Sequence, residues 1–410
     1  MKILQVGQPS RQRIVTTLLF ATFFHIGLSL LTKSPTVFVT AIDTAKQIIQ
    51  GRILYSEVEK PSTTGYAAWP PVFPYSLAIW FLFLGTSELA EKLFCVMTTI
   101  VAGYMCYLIG KEFLSGQQAY FAMVLFLFNP YTMLVSLGGH FENYAMIFCL
   151  LAIWAILRNH ASLGGVALGI GIMTKIFPGL LLISFIPYWV ARRKYLEGLL
   201  FFTTMTLTVT IIALPFLIIC PKDFFYWNFE FHAERDQGGL STYYYWLPWL
   251  FDHTALIFGI QAFLLSVIMA IFFLLAKKQK NISLSYVLIV WVPIVMIVYF
   301  CTTRILYPRY LAMLTPFISW QTVVLWDKIL HREAVFNQLL IWLSMVGTAI
   351  WTLPAYLENW RPKSFRPVIS LDNTLGLCYW LGAVIFSVTL FLFLCLFLFL
   401  TRNQKLVVET

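Results

Sequence analysis

Lys175 stands in the run Met173-Thr174-Lys175-Ile176-Phe177-Pro178, with apolar stretches on either side, Leu163 to Met173 and Phe177 to Val190. An ammonium at membrane depth costs about 2.5–3.5 kcal/mol on insertion scales, so it turns toward a protein or water-filled interior and an anionic partner. In a chain short of charge, this points to a buried polar pocket and a negatively charged ligand. A second constellation is Phe128-Asn129-Pro130, followed by Gly138-Gly139-His140-Phe141-Glu142-Asn143-Tyr144. Pro130 kinks or ends its helix, the glycines allow a tight turn, and three polar side chains follow. Glu142 either caps the next helix or faces a ligand. Asp43 lies in Ala41-Ile42-Asp43-Thr44-Ala45-Lys46-Gln47-Ile48-Ile49-Gln50-Gly51, whose apolar positions fit an amphipathic helix lying in the membrane interface. Gly51 ends that helix. Near its start, Asp43 is either a first-turn acid complementing the helix dipole or a surface carboxylate poised as a general base.

Two further stretches carry polar chemistry. The loop 220–253 is dense in aromatics and contains His232, Glu234, Arg235 and Asp236, then Ser241, Tyr243 and Tyr245. Such aromatics make either an interfacial belt or a platform for a sugar or lipid, and the belt leaves the charged group unexplained. Arg304 and Arg309, the latter in Tyr307-Pro308-Arg309-Tyr310, are two guanidiniums that either snorkel or bind a phosphate.

The elements that position these residues are membrane helices. The chain has 410 residues, 60% hydrophobic and 11% charged, which no soluble domain of this length shows. Apolar segments lie near 14–32, 72–85, 91–109, 117–136, 143–158, 163–174, 177–191, 197–219, 254–276, 283–301, 308–326, 335–354 and 376–400. They lack the alternation of barrel strands. The net charge of +10 speaks for orientation and anionic headgroups; no basic stripe suggests nucleic acid. Basic clusters at Lys2/Arg11/Arg13, Arg192-Arg193-Lys194, Lys277-Lys278-Gln279-Lys280, Lys328/Arg332 and Arg402/Lys405 mark cytoplasmic loops and put both termini inside. The parity is met if 72–85, which opens after Pro70-Pro71, does not cross, making 33–90 one external region with interfacial or re-entrant helices. Asp43, His140, Glu142, Lys175, the loop 220–253, the turn from Arg304 to Tyr310 and the loop 355–375 then share the outer face. Cys95, Cys106, Cys149, Cys220, Cys301, Cys378 and Cys395 have no zinc or CxxC spacing and read as small buried hydrophobes. Residues 14–32 read as a first span and not as a removed leader.

Taken as an ordered set, these motifs resemble those of the GT-C membrane glycosyltransferases that use polyprenyl- or dolichyl-phosphate sugars. The order is an external amphipathic helix ending Gly-x-x-x-Tyr (Gly51 to Tyr55), a Pro-rich turn at Trp69-Pro70-Pro71, Asn129-Pro130, a Gly-rich turn with an acid, then Lys-x-aromatic-Pro. Within that superfamily the pattern is similar to the GPI mannosyltransferase 1 (PIG-M type) family and its bacterial and archaeal relatives that use polyprenol-phosphate mannose. The stretch from Asn129-Pro130 to Glu142, the stretch from Met173 to Pro178, and the loop from His232-x-x-Arg235-Asp236 to Ser241-x-Tyr243-x-Tyr245 carry it, over about residues 37–310. One position departs: Val37 stands where the family's catalytic aspartate belongs, and Asp43 aligns with a second aspartate of the eukaryotic pattern. Either Asp43 has taken the base role, or another acid such as Glu142 has, or the chain is not a catalyst of that kind.

The resemblance implies an all-α polytopic GT-C fold of about 12 transmembrane helices. It forms one integral membrane domain over 1–410: a GT-C module at 14–219 with the external loop 33–90, the external loop 220–253, and C-terminal helices at 254–410. It implies inverting transfer of a hexose, mannose above all, from a lipid monophosphate to a lipid-linked or glycan acceptor on the non-cytosolic face of a prokaryotic plasma membrane or the ER. Asp43 is expected as the base and Glu142 as the alternative acid. Lys175, Arg309, Arg304 and Arg235 would hold the donor phosphate; His140, Asn143, His232, Asp236, Tyr243 and Tyr245 would line the substrate site. The lipid-phosphate sugar is a substrate, so no cofactor is expected, and no phosphate loop or GxGxxG is present. The acids do not cluster with metal-ligand spacing, so no metal is expected. Expected partners are membrane lipids, the donor, the acceptor and a small membrane subunit. A flippase or transporter of lipid-linked sugar and a noncatalytic scaffold are the rival classes.

Overall fold

The computed structural model describes residues 8–31, 36–55, 69–231, 254–278, 282–303 and 308–330. Among them there is no strand, and every apolar segment expected between residues 14 and 326 is helical. The segments near 335–354 and 376–400 lie outside the described residues. In chain order the helices are α1 (Arg11–Leu31), α2 (Thr36–Ile49), α3 (Val72–Leu84), α4 (Glu88–Gly110), α5 (Gly116–Leu127), α6 (Pro130–Leu137), α7 (Glu142–Leu157), α8 (Ala161–Ile172), α9 (Leu181–Ala191), α10 (Tyr195–Ile219) and α11 (Pro221–Phe225). They continue with α12 (Thr254–Lys278), α13 (Val292–Thr302) and α14 (Thr315–Leu330).

Local chemistry sets several of these boundaries. Ser87 caps α4 by accepting from the Ala90 N–H at 3.1 Å. Ser115 and Gln118 form a reciprocal capping box at the start of α5. Gly51, at φ 86°, ends α2: its N–H donates to the Ile48 carbonyl and the Arg52 N–H to that of Gln47, the paired bonds of a Schellman motif. The expected interfacial helix begins earlier than its apolar pattern suggested, at Thr36. Asp43 therefore sits in its middle, so complementing the dipole of a first turn does not explain it. At Phe128-Asn129-Pro130 the helix breaks as the proline requires, and α5 and α6 meet at 52°.

Four helices are long and apolar enough to cross a bilayer by length and composition (α1, α4, α10 and α12), with α5 and α6 a fifth if the bent pair is one span. These are joined by shorter apolar helices, among them α3, α7 and α8. At 16 and 12 residues, α7 and α8 rise about 24 and 18 Å, short of a hydrocarbon core of about 30 Å. They form an antiparallel pair, so the first residue of α7 and the turn after α8 lie at one end and are recessed. Arg158, at the other end of α7, pairs with Glu112 at 2.6 Å.

The core runs between α4, α5, α7, α8 and α9, with Met123, Phe126, Leu150, Leu168 and Phe185 fully buried. Cys95, Cys106, Cys149 and Cys220 are buried and free, as small apolar packing residues. A second apolar cluster joins Ala41 and Ala45 of α2 to Phe73, Leu77, Phe94 and Phe141; Phe73 and Phe141 stack at 4.0 Å. A third joins Leu54 and Tyr55 to Met173, Phe216, Phe224 and Trp227. The Tyr55 hydroxyl donates to the Trp69 carbonyl at 2.5 Å, and the Val72 N–H to the Met173 carbonyl at 3.0 Å. The residues after α1 thus roof the end where Glu142 and Lys175 lie.

Helix α8 lies close along α10 through glycine. A Cβ at Gly165 would run into the Phe201 carbonyl and the Thr204 hydroxyl, and one at Gly169 would come within 2.8 Å of the Met205 carbonyl. Backbone cannot yield as a side-chain tip can. Gly165→Ala is expected to destabilise the protein by about 1–3 kcal/mol. Gly259→Ala, where the added Cβ meets open space, is expected to be neutral or slightly stabilising. Thermal unfolding of the detergent-solubilised variants checks this; equal midpoints for the two would refute the close approach.

Candidate functional site

The site is built where α6 turns into α7. The Gly138 N–H donates to the Leu134 carbonyl and the His140 N–H to that of Val135, at 3.0 and 2.8 Å. Gly139 takes φ 70°, a conformation that a Cβ disfavours. The chain then enters α7 with Glu142 in its first turn. Its carboxylate does not cap the helix: Oε1 accepts from Lys175 Nζ at 2.5 Å and lies 3.4 Å from Arg309 Nε. Glu142 is therefore an ion-pair partner and not a helix cap.

Three distant segments supply this cluster. Glu142 comes from α7. Lys175 comes from the turn after α8, where its N–H donates to the Gly171 carbonyl at 2.9 Å and Phe177–Leu180 forms a 3-10 turn. Arg309 comes from the 3-10 segment Pro308–Leu314. The side chains are 1% (Glu142), 12% (Lys175) and 16% (Arg309) exposed, so the charges interact largely out of water. Lys175 Nζ also lies over three rings: Tyr310 at 4.3 Å, Phe141 at 4.6 Å and Phe177 at 5.2 Å. A desolvated ammonium gains about 2 kcal/mol from such a face. The lysine read in the sequence as needing a partner thus has an acid and an aromatic cage.

The charge count shapes what this cluster can do. Two cations share one carboxylate, so the three groups carry a net +1. Glu142 Oε2 is buried and has no hydrogen-bond partner among the described residues. Two cations beside a buried acceptor oxygen suit a ligand that brings an anion and a hydroxyl. His140 is buried in the turn; burial first, then the Arg309 and Lys175 charges, hold its pKa well below the ordinary value.

The other expected site residues fall in different places. Asn143 turns away into the seam with α4, where Nδ2 donates to Thr99 Oγ1 at 2.8 Å. Asp43 stands apart from the cluster on the half-exposed face of α2, 3.6 Å from Lys46. His232, Arg235, Asp236, Tyr243, Tyr245 and Arg304 lie outside the described residues. The cage rings Phe141, Phe177 and Tyr310 were not singled out from the sequence. Their signal was adjacency: each stands one or two positions from a charge of the cluster.

Residues 68–219 match the family model described as Dolichyl-phosphate-mannose-protein mannosyltransferase, a stretch that contains Glu142 and Lys175 but not Asp43 or Arg309. The chain is 29% identical over 96 residues to the undecaprenyl phosphate-alpha-4-amino-4-deoxy-L-arabinose arabinosyl transferase of Enterobacter sp. (strain 638), covering 21% of this chain and 17% of that one. It is 26% identical over 185 residues to GPI mannosyltransferase 1 of Emericella nidulans, covering 44% and 39%. The chain thus spans less than two fifths of the length of either curated relative. Its fold is similar to that of ArnT from Cupriavidus metallidurans bound to undecaprenyl phosphate, with a TM-score of 0.55 at 15% identity over 96% of this chain and 72% of that one. The apo structure of the same protein gives 0.54 at 15% identity, over 85% and 65%. The fold is that of the GT-C membrane glycosyltransferases, and the matched stretch is mannosyltransferase-like.

Removing the acid takes a partner from both cations at once; removing one cation leaves the acid still paired. Glu142→Gln is therefore expected to destabilise the protein by about 3–5 kcal/mol, and Lys175→Met by less. Thermal unfolding in detergent checks the order, and the reverse order would show that Glu142 is not what holds the cluster together.

Proposed function

We propose that this GT-C-fold integral membrane protein moves a hexose, mannose in this reading, from a polyprenyl- or dolichyl-phosphate sugar to a lipid-linked or glycan acceptor. The observation that carries the proposal is the recessed cluster of Lys175, Arg309 and Glu142. A lipid-phosphate sugar is a phosphodiester with one negative charge, which the adjacent ammonium of Lys175 and guanidinium of Arg309 suit. As the bond to the anomeric carbon breaks, negative charge grows on the phosphate, and preplaced cations in a water-poor site stabilise that growth. The undecaprenyl phosphate named with the ArnT structure supports a lipid-phosphate donor for this chain too.

Inversion requires the acceptor oxygen to attack from the side opposite the leaving phosphate. Glu142 is bonded to the phosphate-binding cations, so it stands on the leaving side and orients them. Asp43, apart from the cluster and 49% exposed, is open to an acceptor and takes the hydroxyl proton. A new C–O bond forms at the anomeric carbon, the sugar–phosphate C–O bond breaks, and the lipid phosphate leaves paired with Lys175 and Arg309. General-base help of this kind contributes about 10²–10⁴-fold. The site lies at the end of α7 opposite Arg158, and on the same reckoning opposite Arg192, Arg193 and Lys194; basic loops face the cytosol, which supports a non-cytosolic site.

With radiolabelled polyprenyl-phosphate mannose and membrane glycolipid acceptors, Asp43→Asn is expected to lose about 10²–10⁴ of transfer while donor binding persists. Lys175→Ala is expected to raise the apparent donor KM about tenfold. Full transfer by Asp43→Asn would move the base elsewhere, an unchanged KM would remove Lys175 from the donor site, and donor flux across vesicles without transfer would make the protein a flippase.

A further inference from the structure

His25, in α1, is fully buried and belongs to none of the motifs above. Its partners follow from the break between α5 and α6. In an unbroken helix the Leu127 carbonyl would accept from the Tyr131 N–H. That N–H instead donates to Asn129 Oδ1 at 2.9 Å, and Pro130, one residue nearer, has no N–H to offer. The break leaves a buried carbonyl without its helical donor, a costly state in an apolar interior.

His25 meets that need. Its Nε2 lies 3.0 Å from the Leu127 carbonyl and its Nδ1 2.5 Å from Ser136 Oγ. A carbonyl only accepts, so Nε2 carries the proton toward Leu127; the Ser136 hydroxyl, which donates to the Met133 carbonyl at 3.0 Å, is the polar partner of Nδ1. One imidazole thereby bridges the end of α5 and the last turn of α6, with Phe24 and Phe128 packed around it at 6.1 and 6.4 Å. The last turn of α6 holds the turn into Glu142 through the Leu134 and Val135 carbonyls. The bend that His25 secures therefore sets where Glu142 arrives.

We propose that His25 is a positioning residue: by joining the Leu127 carbonyl to Ser136 it fixes the α5–α6 bend that delivers Glu142 to Lys175 and Arg309. The consequence for donor binding rests on the function proposed above; the consequence for the bend does not. Hydrogen exchange of the purified full chain tests the bend. In His25→Leu, peptides within 131–145 are expected to exchange about tenfold faster, with 195–219 unchanged. His25→Gln, whose amide nitrogen can still reach the Leu127 carbonyl, is expected to restore slow exchange. If His25→Leu does not fold, Ser136→Ala, which removes one of the two bonds, is expected to show a rise of about threefold. Unchanged exchange in the disrupting variant, or equal exchange in His25→Leu and His25→Gln, overturns the proposal. Undecaprenyl phosphate binding is read in parallel, with Kd expected to rise about tenfold in His25→Leu and to recover in His25→Gln. Faster exchange with unchanged Kd overturns the link to the site. If the wild-type chain does not bind undecaprenyl phosphate, the functional reading falls and exchange alone decides the role of His25.

Discussion

The architecture turns on one carboxylate held between two cations inside a membrane protein. Glu142 meets Lys175 and Arg309 although the three are far apart in sequence and belong to three separate elements. Out of water, each charge alone would be costly, and the contacts between them offset part of that cost. Those contacts tie α7, the turn after α8 and the segment after α13 to one another. The aromatic rings around Lys175 serve the same end, since they lower the polarity of the surroundings while giving the ammonium a favourable face.

Helix length then decides depth. Because α7 and α8 are short, the charges lie below the level that the long neighbour α10 reaches, and α2 and α3 cover them through Phe73 on Phe141. Glycine makes the arrangement possible: Gly165 and Gly169 let α8 lie against the backbone of α10. The recess, the cover and the charges are thus consequences of chain geometry as much as of side-chain chemistry.

Much of this was legible in the sequence for physical reasons. Apolar runs announce helices because unpaired backbone cannot exist in lipid, and Pro130 announces a break because it lacks a donor. Lys175 announced an anionic partner because its charge is out of place. The anion read for it was a ligand, whereas the structure supplies Glu142; pairing across 33 positions leaves no periodic trace. Asp43 was read as a first-turn residue because the apolar pattern begins at Ala41, whereas the helix starts at Thr36, upstream of that pattern. His25 left no signal, since a histidine among leucines and phenylalanines gains meaning only beside the carbonyl freed by Pro130.

The bond from the Val72 N–H to the Met173 carbonyl has a bearing on how such proteins diversify. It fastens the start of α3 to the residue two before the buried lysine, backbone to backbone, whatever side chains stand there. The two pieces therefore behave as a single exchangeable cassette. A chimera that grafts only the region between α1 and α3 from a relative breaks that seam and offsets the lysine, whereas one that carries both pieces together keeps the register and leaves side-chain identity free to vary.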